Sequence, residues 1–430
     1  MFASGNMHEE IQKLKAEFDK KIYDLTQRID ENEFQASMNR IKWGGELENT
    51  WGFYSGKNEN GHFSNPNKWD MRLKLNMEAF IDKKTKFTGR LMMTKAWGSS
   101  TPENLSSLDA LQGRARGSSA VFVERAYVDY WFNDRFAVTV GRQPSSDGPG
   151  MNLKYDIARQ ATYPALLFNG AADGILVTYK LNSAIKPLIK TKIRLAYGKG
   201  YQWQDDERGW STRNPGIKDT EVYGLFFESS LPYEDLGKNY FIITTVRTKH
   251  LVTNPFEKKN AAVNTDLGSY SHYGFYFENT KAFESNFNYF VSYALCVPHS
   301  NGKKGVADLD SDGKPETEVE LLKRKGYAYH VGVRYDLKSI KIGYEFNHGS
   351  KYWFSFSTNL YDPTNKLAVR GDVNDIYLIY RYDLYESLRF GYMYADINYN
   401  YMGMYFAPGG EPNRVDDSLK LLYVTYDVRW

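Results

Sequence analysis

Asp147, Lys154, Asp156 and Arg159 stand in one connection, Pro144 to Ala172, that is otherwise the least polar of the long loops in this chain. Arg72, Lys74, Arg90, Arg142, Lys190, Lys192 and Arg194 fall on neighbouring segments, at positions that alternation turns to the polar face. Carboxylates on a loop facing bases on a wall would set up a transverse field across an aqueous passage. Such a field orients dipolar solutes and holds off apolar ones. The same residues could instead tie the loop to the wall as ion pairs. A second constellation is Asp308-Leu-Asp-Ser-Asp-Gly-Lys-Pro-Glu316. Oxygens at alternate places and a glycine at the sixth match the first half of a calcium loop, with Asp308, Asp310, Asp312 and Glu316 as ligands. Val319 stands at the twelfth place, where a bidentate Glu belongs, so a solvated acidic hairpin is the competing reading. No cofactor is otherwise called for.

No catalytic arrangement is present in the sequence. There is no Gly-x-Ser-x-Gly elbow, no His-Glu-x-x-His and no phosphate-cradling loop. His272, His330 and His348 fall on alternating segments and read as lining residues, so the chain is not expected to be an enzyme. The single Cys296 excludes an internal disulfide, and a net charge of +3 gives no case for a nucleic-acid partner.

What must position these residues is a set of strands. From Ile41 onward the apolar period is two. Sixteen alternating segments can be placed, near 41–54, 69–82, 86–98, 119–132, 135–143, 173–181, 187–199, 220–230, 239–250, 269–280, 285–297, 325–336, 339–348, 373–382, 387–397 and 418–430. In the second, Met71, Leu73, Leu75, Met77 and Ala79 share one face, while Arg72, Lys74, Asn76 and Glu78 share the other. The connections alternate between short turns, such as Asn133-Asp134 and Leu337-Lys338, and long loops rich in Gly, Asn, Asp and Ser. Short turns at one rim and long loops at the other are the pattern of outer-membrane barrels. Backbone groups in lipid must be paired, which requires the sheet to close. With an even count of strands, both termini lie on the short-turn side.

Composition agrees. Aromatics reach 16%, with 34 Tyr, 25 Phe and 9 Trp, yet charged residues are 25% and mean hydropathy is −0.59. No stretch is apolar enough for a spanning helix. Rings gather near strand ends, at Trp43, Trp51, Trp69, Trp97, Trp131, Tyr270, Tyr273, Tyr352, Trp353, Tyr382, Tyr385, Tyr401 and Tyr405, as interfacial girdles would. No apolar targeting segment opens the sequence, so it reads as a mature chain.

Residues 8–38 differ from the rest, with no Gly or Pro and apolar side chains at Ile11, Leu14, Phe18, Ile22, Leu25 and Ile29. These spacings predict an amphipathic helix with a narrow stripe. The stripe runs as an eleven-residue repeat and then a heptad, which predicts a nearly straight coiled coil, with Asn32 on its seam. Packing of the helix against its own barrel is the alternative.

The chain ends on Leu422, Val424, Tyr426, Val428 and Trp430 along one face of a strand, with Asp427 and Arg429 on the other. This ending, the strand number, the loop phase and the apolar third loop resemble trimeric outer-membrane porins, whose third loop folds inward and narrows the pore. The acidic Pro-Glu-Phe-Gly-Gly element of enterobacterial porins is absent. Gly141-Arg-Gln-Pro-Ser-Ser-Asp-Gly-Pro149 and Ala161-Thr-Tyr-Pro-Ala-Leu-Leu-Phe-Asn-Gly-Ala-Ala-Asp-Gly174 further resemble an uncharacterised epsilonproteobacterial outer-membrane family with an N-terminal coiled coil.

The expectation is therefore a coiled-coil segment over 1–40 in the periplasm and an all-β transmembrane barrel over 41–430, with the third loop (144–172) turned inward. The resemblance implies a homotrimer in the outer membrane of a Gram-negative bacterium, in contact with lipid and lipopolysaccharide. It would pass small hydrophilic solutes or ions by diffusion. A scaffold barrel whose helix tethers the envelope or docks a periplasmic partner is the alternative.

Overall fold

The structure, a computed structural model, describes residues 3–38, 41–97, 121–143, 147–170, 172–182, 184–202, 218–233, 237–252, 265–307, 317–357, 362, 364–407 and 410–430. For 3–11, 32–38, 172, 182, 305–307 and 317–319 only the backbone is described. After helix α1 (Ala3–Met38) come β1 (Ile41–Asn58), β2 (Gly61–Phe80), β3 (Thr85–Ala96) and β4 (Phe122–Trp131). Next are β5 (Phe136–Gln143), helix α2 (Asn152–Tyr155), β6 (Ala172–Asn182), β7 (Ile189–Tyr201), β8 (Thr220–Ser230), β9 (Lys238–Val252) and β10 (Asp266–Ala282). The wall finishes with β11 (Phe287–Ser300), β12 (Gly326–Asp336), β13 (Ile340–Gly349), β14 (Gly371–Arg381), β15 (Glu386–Tyr399) and β16 (Arg414–Arg429). Each strand pairs antiparallel with the next, and β16 returns to β1 to close a sixteen-strand barrel.

The seam brings Glu46 opposite Arg429 and Lys57 opposite Ser418. Past the ladder's end, Gly45 N–H donates to the Trp430 carbonyl at 2.9 Å and Trp430 N–H returns to Gly45 at 3.1 Å. All sixteen alternating segments of the sequence are wall strands. One expected loop is not a loop: β1 and β2 continue their ladder to Asn58 opposite Gly61, leaving only Glu59 and Asn60 to turn. Backbone pairing needs no apolar face, so a polar sequence extends this hairpin beyond the alternating stretch.

The exterior carries the apolar half of the alternation. Val140, Leu195, Ile243, Ile376 and Leu422 are exposed on it. Exposed rings frame them, with Trp43, Phe80, Tyr385 and Trp430 towards the short turns and Trp69, Trp97 and Tyr273 towards the long loops. Trp51, Trp69 and Trp97 form one ladder of rings, 6.2 and 5.6 Å apart. Four expected girdle residues are elsewhere. Tyr270, Trp353 and Tyr405 are buried inside the barrel, and Trp131 faces the lumen.

They are inside because the lumen has a core of its own. Met151, Leu166 and Leu167 of the third loop pack with Trp353, Phe354, Leu367, Tyr405 and Phe406 of later outer loops. Phe168–Asn169 and Phe356–Ser357 form a two-residue parallel pairing between two of those loops. Arg370 ties them together, donating to the carbonyls of Trp353 at 3.0 Å, Asn400 at 3.0 Å and Met404 at 2.8 Å. With only carbonyls as partners, burial lowers the Arg370 pKa to about 10. Apolar loop residues thus leave water by folding into the barrel.

Helix α1 has the predicted stripe, and Leu14, Phe18, Ile22, Leu25 and Ile29 are all exposed, at 49–67%. Within the single chain the barrel does not cover it. The side chain of Ile11 lies outside the described residues, as do Asp308, Asp310, Asp312 and Glu316 of the candidate calcium loop. The backbone on either side of that loop, Gly305–Ala307 and Thr317–Val319, pairs as a short antiparallel ribbon.

Candidate functional site

The third loop leaves β5, crosses the lumen and returns to β6, and the wall holds it at four points. The first is Asp147. Arg90 Nη1 donates to its Oδ2 at 2.8 Å, with Lys74 at 3.7 Å and Arg125 at 3.8 Å from the same oxygen. Arg125 is there because β4 bulges: Arg90 pairs with Arg125 but Leu91 with Val123, so Glu124 and Arg125 are both buried inside. Burial alone would raise the Asp147 carboxyl. Lys74, Arg90, Arg125 and Arg72 outweigh it and hold the group well below the ordinary carboxylate range.

The second point is the tip. Helix α2 is a single turn, and its terminal carbonyls need donors from elsewhere. Arginines supply them: Arg334 reaches Leu153 O at 2.6 Å, Arg389 reaches Lys154 O at 3.2 Å, and Arg429 reaches Tyr155 O at 2.7 Å and Asp156 O at 3.1 Å. Positive charge at a helix C-terminus also suits the backbone dipole. The Tyr155 ring lies between the guanidinium groups of Arg72 and Arg389, at 5.5 and 4.7 Å. Arg72 and Arg389 both pair with Glu48, which burial would raise in energy were it alone.

The third point is a pair of loop charges beside the tip. Asp156, in the left-handed region at φ 52°, bonds Lys341 at 2.5 Å, Arg381 at 3.0 Å and Arg334 at 3.1 Å. Burial pushes its carboxyl up, but those three cations bring it below its usual value. Lys154 Nζ donates to Asp375 at 2.5 Å. Asp375 also accepts from Lys366 at 2.7 Å, and Lys366 reaches Glu345 at 2.6 Å. Burial favours neutral lysine here, yet Asp375 outweighs it and keeps Lys154 charged. The fourth point is Arg159, which donates to Glu228 at 2.9 Å and lies 4.3 Å from the centre of the Tyr240 ring.

The structure therefore brings Arg72, Lys74, Arg90, Asp147, Lys154, Asp156, Arg159, Lys192 and Arg194 to the loop or the wall around it. Arg142 is not among them. It sits opposite Ala126 and Asp173, beside exposed Val140, and pairs with Asp173 at 2.8 and 2.9 Å on the outer face. Lys190 is exposed at the short-turn end of β7, with φ 55°, away from the loop. The acids that answer the loop's bases, Glu228 and Asp375, were not singled out in the sequence. Each sits at a polar position of its alternating segment, which was the available signal.

Between the Asp147 and Arg159 ties, a crevice runs between Gln160–Tyr163 of the loop and the wall formed by β4, β5, β6 and β7. It has a volume of 260 Å³. Tyr127, Asp129, Trp131, Thr139, Thr178 and Arg194 line it.

A closed antiparallel wall with a ring-framed apolar exterior and a loop latched across its lumen defines a β-barrel of the outer-membrane type. Residues 62–428 match the family described as protein of unknown function (DUF3373), and the chain belongs to it. No curated protein matches the sequence. Among solved structures, the fold is similar to OprB of Pseudomonas putida in its high-pH structure. The two share 9% identity over 93% of this chain and 96% of that one, with a TM-score of 0.53. OmpF of Salmonella typhi, in complex with daunomycin, aligns at 10% identity over 90% and 97% of the two chains, with a TM-score of 0.49. OmpT of Vibrio cholerae aligns at 11% over 91% and 97%, with a TM-score of 0.47.

Proposed function

We propose that this protein is an outer-membrane porin that passes small hydrophilic solutes or ions by diffusion, through a passage narrowed by its third loop. The observation that carries the reading is the loop itself. It is held at the wall by buried ion pairs and leaves a polar crevice between two of them. The membrane faces the exposed apolar band, and the short-turn rim, with α1, lies in the periplasm. Asp147, Lys154, Asp156 and Arg159 then serve chiefly as ties, and charge filtering falls to the bases left along the crevice. No step of catalysis is assigned to any residue. Calcium at Asp308, Asp310, Asp312 and Glu316 is an optional extra of an outer loop, tested by calorimetric titration of a loop-deleted variant.

The uncovered stripe on α1 supports a homotrimer joined by a coiled coil, in line with the sequence resemblance to epsilonproteobacterial proteins that carry one. Removing residues 1–40 is expected to weaken the trimer in chemical crosslinking while each barrel conducts as before. The second reading, a scaffold barrel, draws on the apolar core that fills much of the lumen. Swelling of proteoliposomes in a graded series of sugars and amino acids separates the two. The porin reading predicts swelling with the smallest solutes and a steep loss with size. Vesicles that never swell contradict it.

A further inference from the structure

Resting on the pore reading, we infer that the passage beside the third loop is suited to a small organic anion carrying an apolar ring, an aromatic monocarboxylate being the simplest case. Two chambers lie in line along the wall. The outer one, of 120 Å³, is bounded by Tyr201, Phe226, Phe354, Phe356 and Tyr405. The inner one is the 260 Å³ crevice. Both are below or at the low end of the roughly 300–1,000 Å³ of pockets for drug-sized molecules, so the solute is small.

The chambers differ in chemistry. Rings dominate the outer one and can take a flat apolar group in stacked or edge-on contact. The inner chamber is cationic. Arg159, Lys192 and Arg194 all turn to the one carboxylate of Glu228, at 2.9, 3.5 and 2.6 Å. Of these, Lys192 and Arg194 line the chamber together with Arg135 and Lys180, and Asp129 is the acid among its lining residues. Four lining cations therefore stand against one lining carboxylate, while Arg159 and Glu228 pair outside the lining. That excess draws in an anion and repels an organic cation.

Gln143 and Tyr163 belong to both chambers, and the Tyr163 hydroxyl donates to Gln143 Oε1 at 3.2 Å across the boundary. The Tyr163 ring also meets Phe226 edge-on at 5.1 Å. A flat ring moving inward replaces Phe226 contact for Tyr163, and its carboxylate leads or follows into the cationic chamber. An acetate ion has the charge without the ring, and benzylammonium has the ring with the wrong charge.

The test uses the purified full-length chain with benzoate, acetate and benzylammonium as probes, in planar bilayers and by calorimetric titration in detergent. Benzoate should interrupt the current in a concentration-dependent way and bind in solution. Acetate and benzylammonium at the same concentrations should do neither. The Arg135→Gln, Lys192→Gln double variant should weaken benzoate by roughly tenfold, as expected for the loss of charge-assisted contacts. A conducting channel that ignores benzoate, or that answers benzylammonium equally, overturns the inference and leaves the pore. A silent bilayer with benzoate still bound, and weakened in the double variant, overturns the pore and leaves the anion site.

Discussion

Asp147→Asn will release the third loop from the wall. The variant keeps the shape of the side chain but leaves Arg90, Lys74 and Arg125 clustered around a neutral group. Lys74 keeps Glu46 at 2.8 Å and Arg125 keeps Glu124 at 2.6 Å, so Arg90 loses most, with Glu124 no nearer than 3.8 Å. The cost falls toward the low end of the about 3–5 kcal/mol for breaking a buried pair. The barrel wall is paired strand to strand, so the loss falls on the loop's attachment rather than on closure. Limited proteolysis should cut within 147–170 in the variant under conditions that spare the parent, and its current should be larger and noisier.

The pH dependence has a definite sign. The folded-state pKa of Asp147 is depressed, so its contribution is present above the ordinary carboxyl value of about 4 and is lost as pH falls through the lower native value. The parent loop should therefore stay protected from neutral pH down to about 4 and loosen below it. The Asn variant should lack that acid transition at this site. Equal protection of the two proteins at neutral pH would show that the Asp147 cluster does not hold the loop.

Gly45→Val will damage the barrel at its seam. A Cβ on Gly45 would lie 2.1 Å from Cζ2 of the Trp430 ring, where no real contact can exist. The ring covers the glycine while the two backbones exchange hydrogen bonds at 2.9 and 3.1 Å. Moving it displaces Trp430, just past the end of β16, from β1 at the seam that closes the wall. Overpacking of a tight contact costs about 1–3 kcal/mol before any loss of pairing is counted. The heat-modified electrophoretic band of the folded barrel should melt at a lower temperature. Adding Trp430→Ala in the same chain should recover much of the loss, since the clash needs both side chains. A Gly45→Val barrel as stable as the parent would contradict the close approach.

Most of the wall was legible from the period of two. Met71 to Ala79 and Leu422 to Trp430 each place their apolar residues outward, and the short turns fix which rim is which. Lipid demands an apolar outer face along every strand, so the demand is written into every strand. The lumen was harder to read. The third loop stood out through Met151, Leu153, Leu166 and Leu167, but the residues it packs on did not. Trp353, Tyr270 and Tyr405 resemble interfacial rings in sequence, because a ring near a strand end suits either a membrane interface or an inward-folded loop.

The inward assignment failed at Arg142, which alternates with Val140 onto the outer face, and alternation itself broke at Arg125. A bulge puts two successive side chains, Glu124 and Arg125, on the same face. The inward ties depend on contacts between residues far apart in the chain, such as Lys154 with Asp375 and Asp156 with Lys341, and no local pattern announces them. A list of inward charges could be drawn up strand by strand. Which acid would answer which base could not.

Single-channel current through the purified full-length chain in a planar bilayer tests the central claim most directly. A passage along the crevice beside a latched loop predicts small, stable conductance steps, grouped in threes if α1 joins three barrels. The steps should grow when Asp147→Asn frees the loop. A membrane that stays silent, although the reconstituted protein shows the heat-modified band of a folded barrel, would mean that the loops seal the lumen and that the barrel is a scaffold.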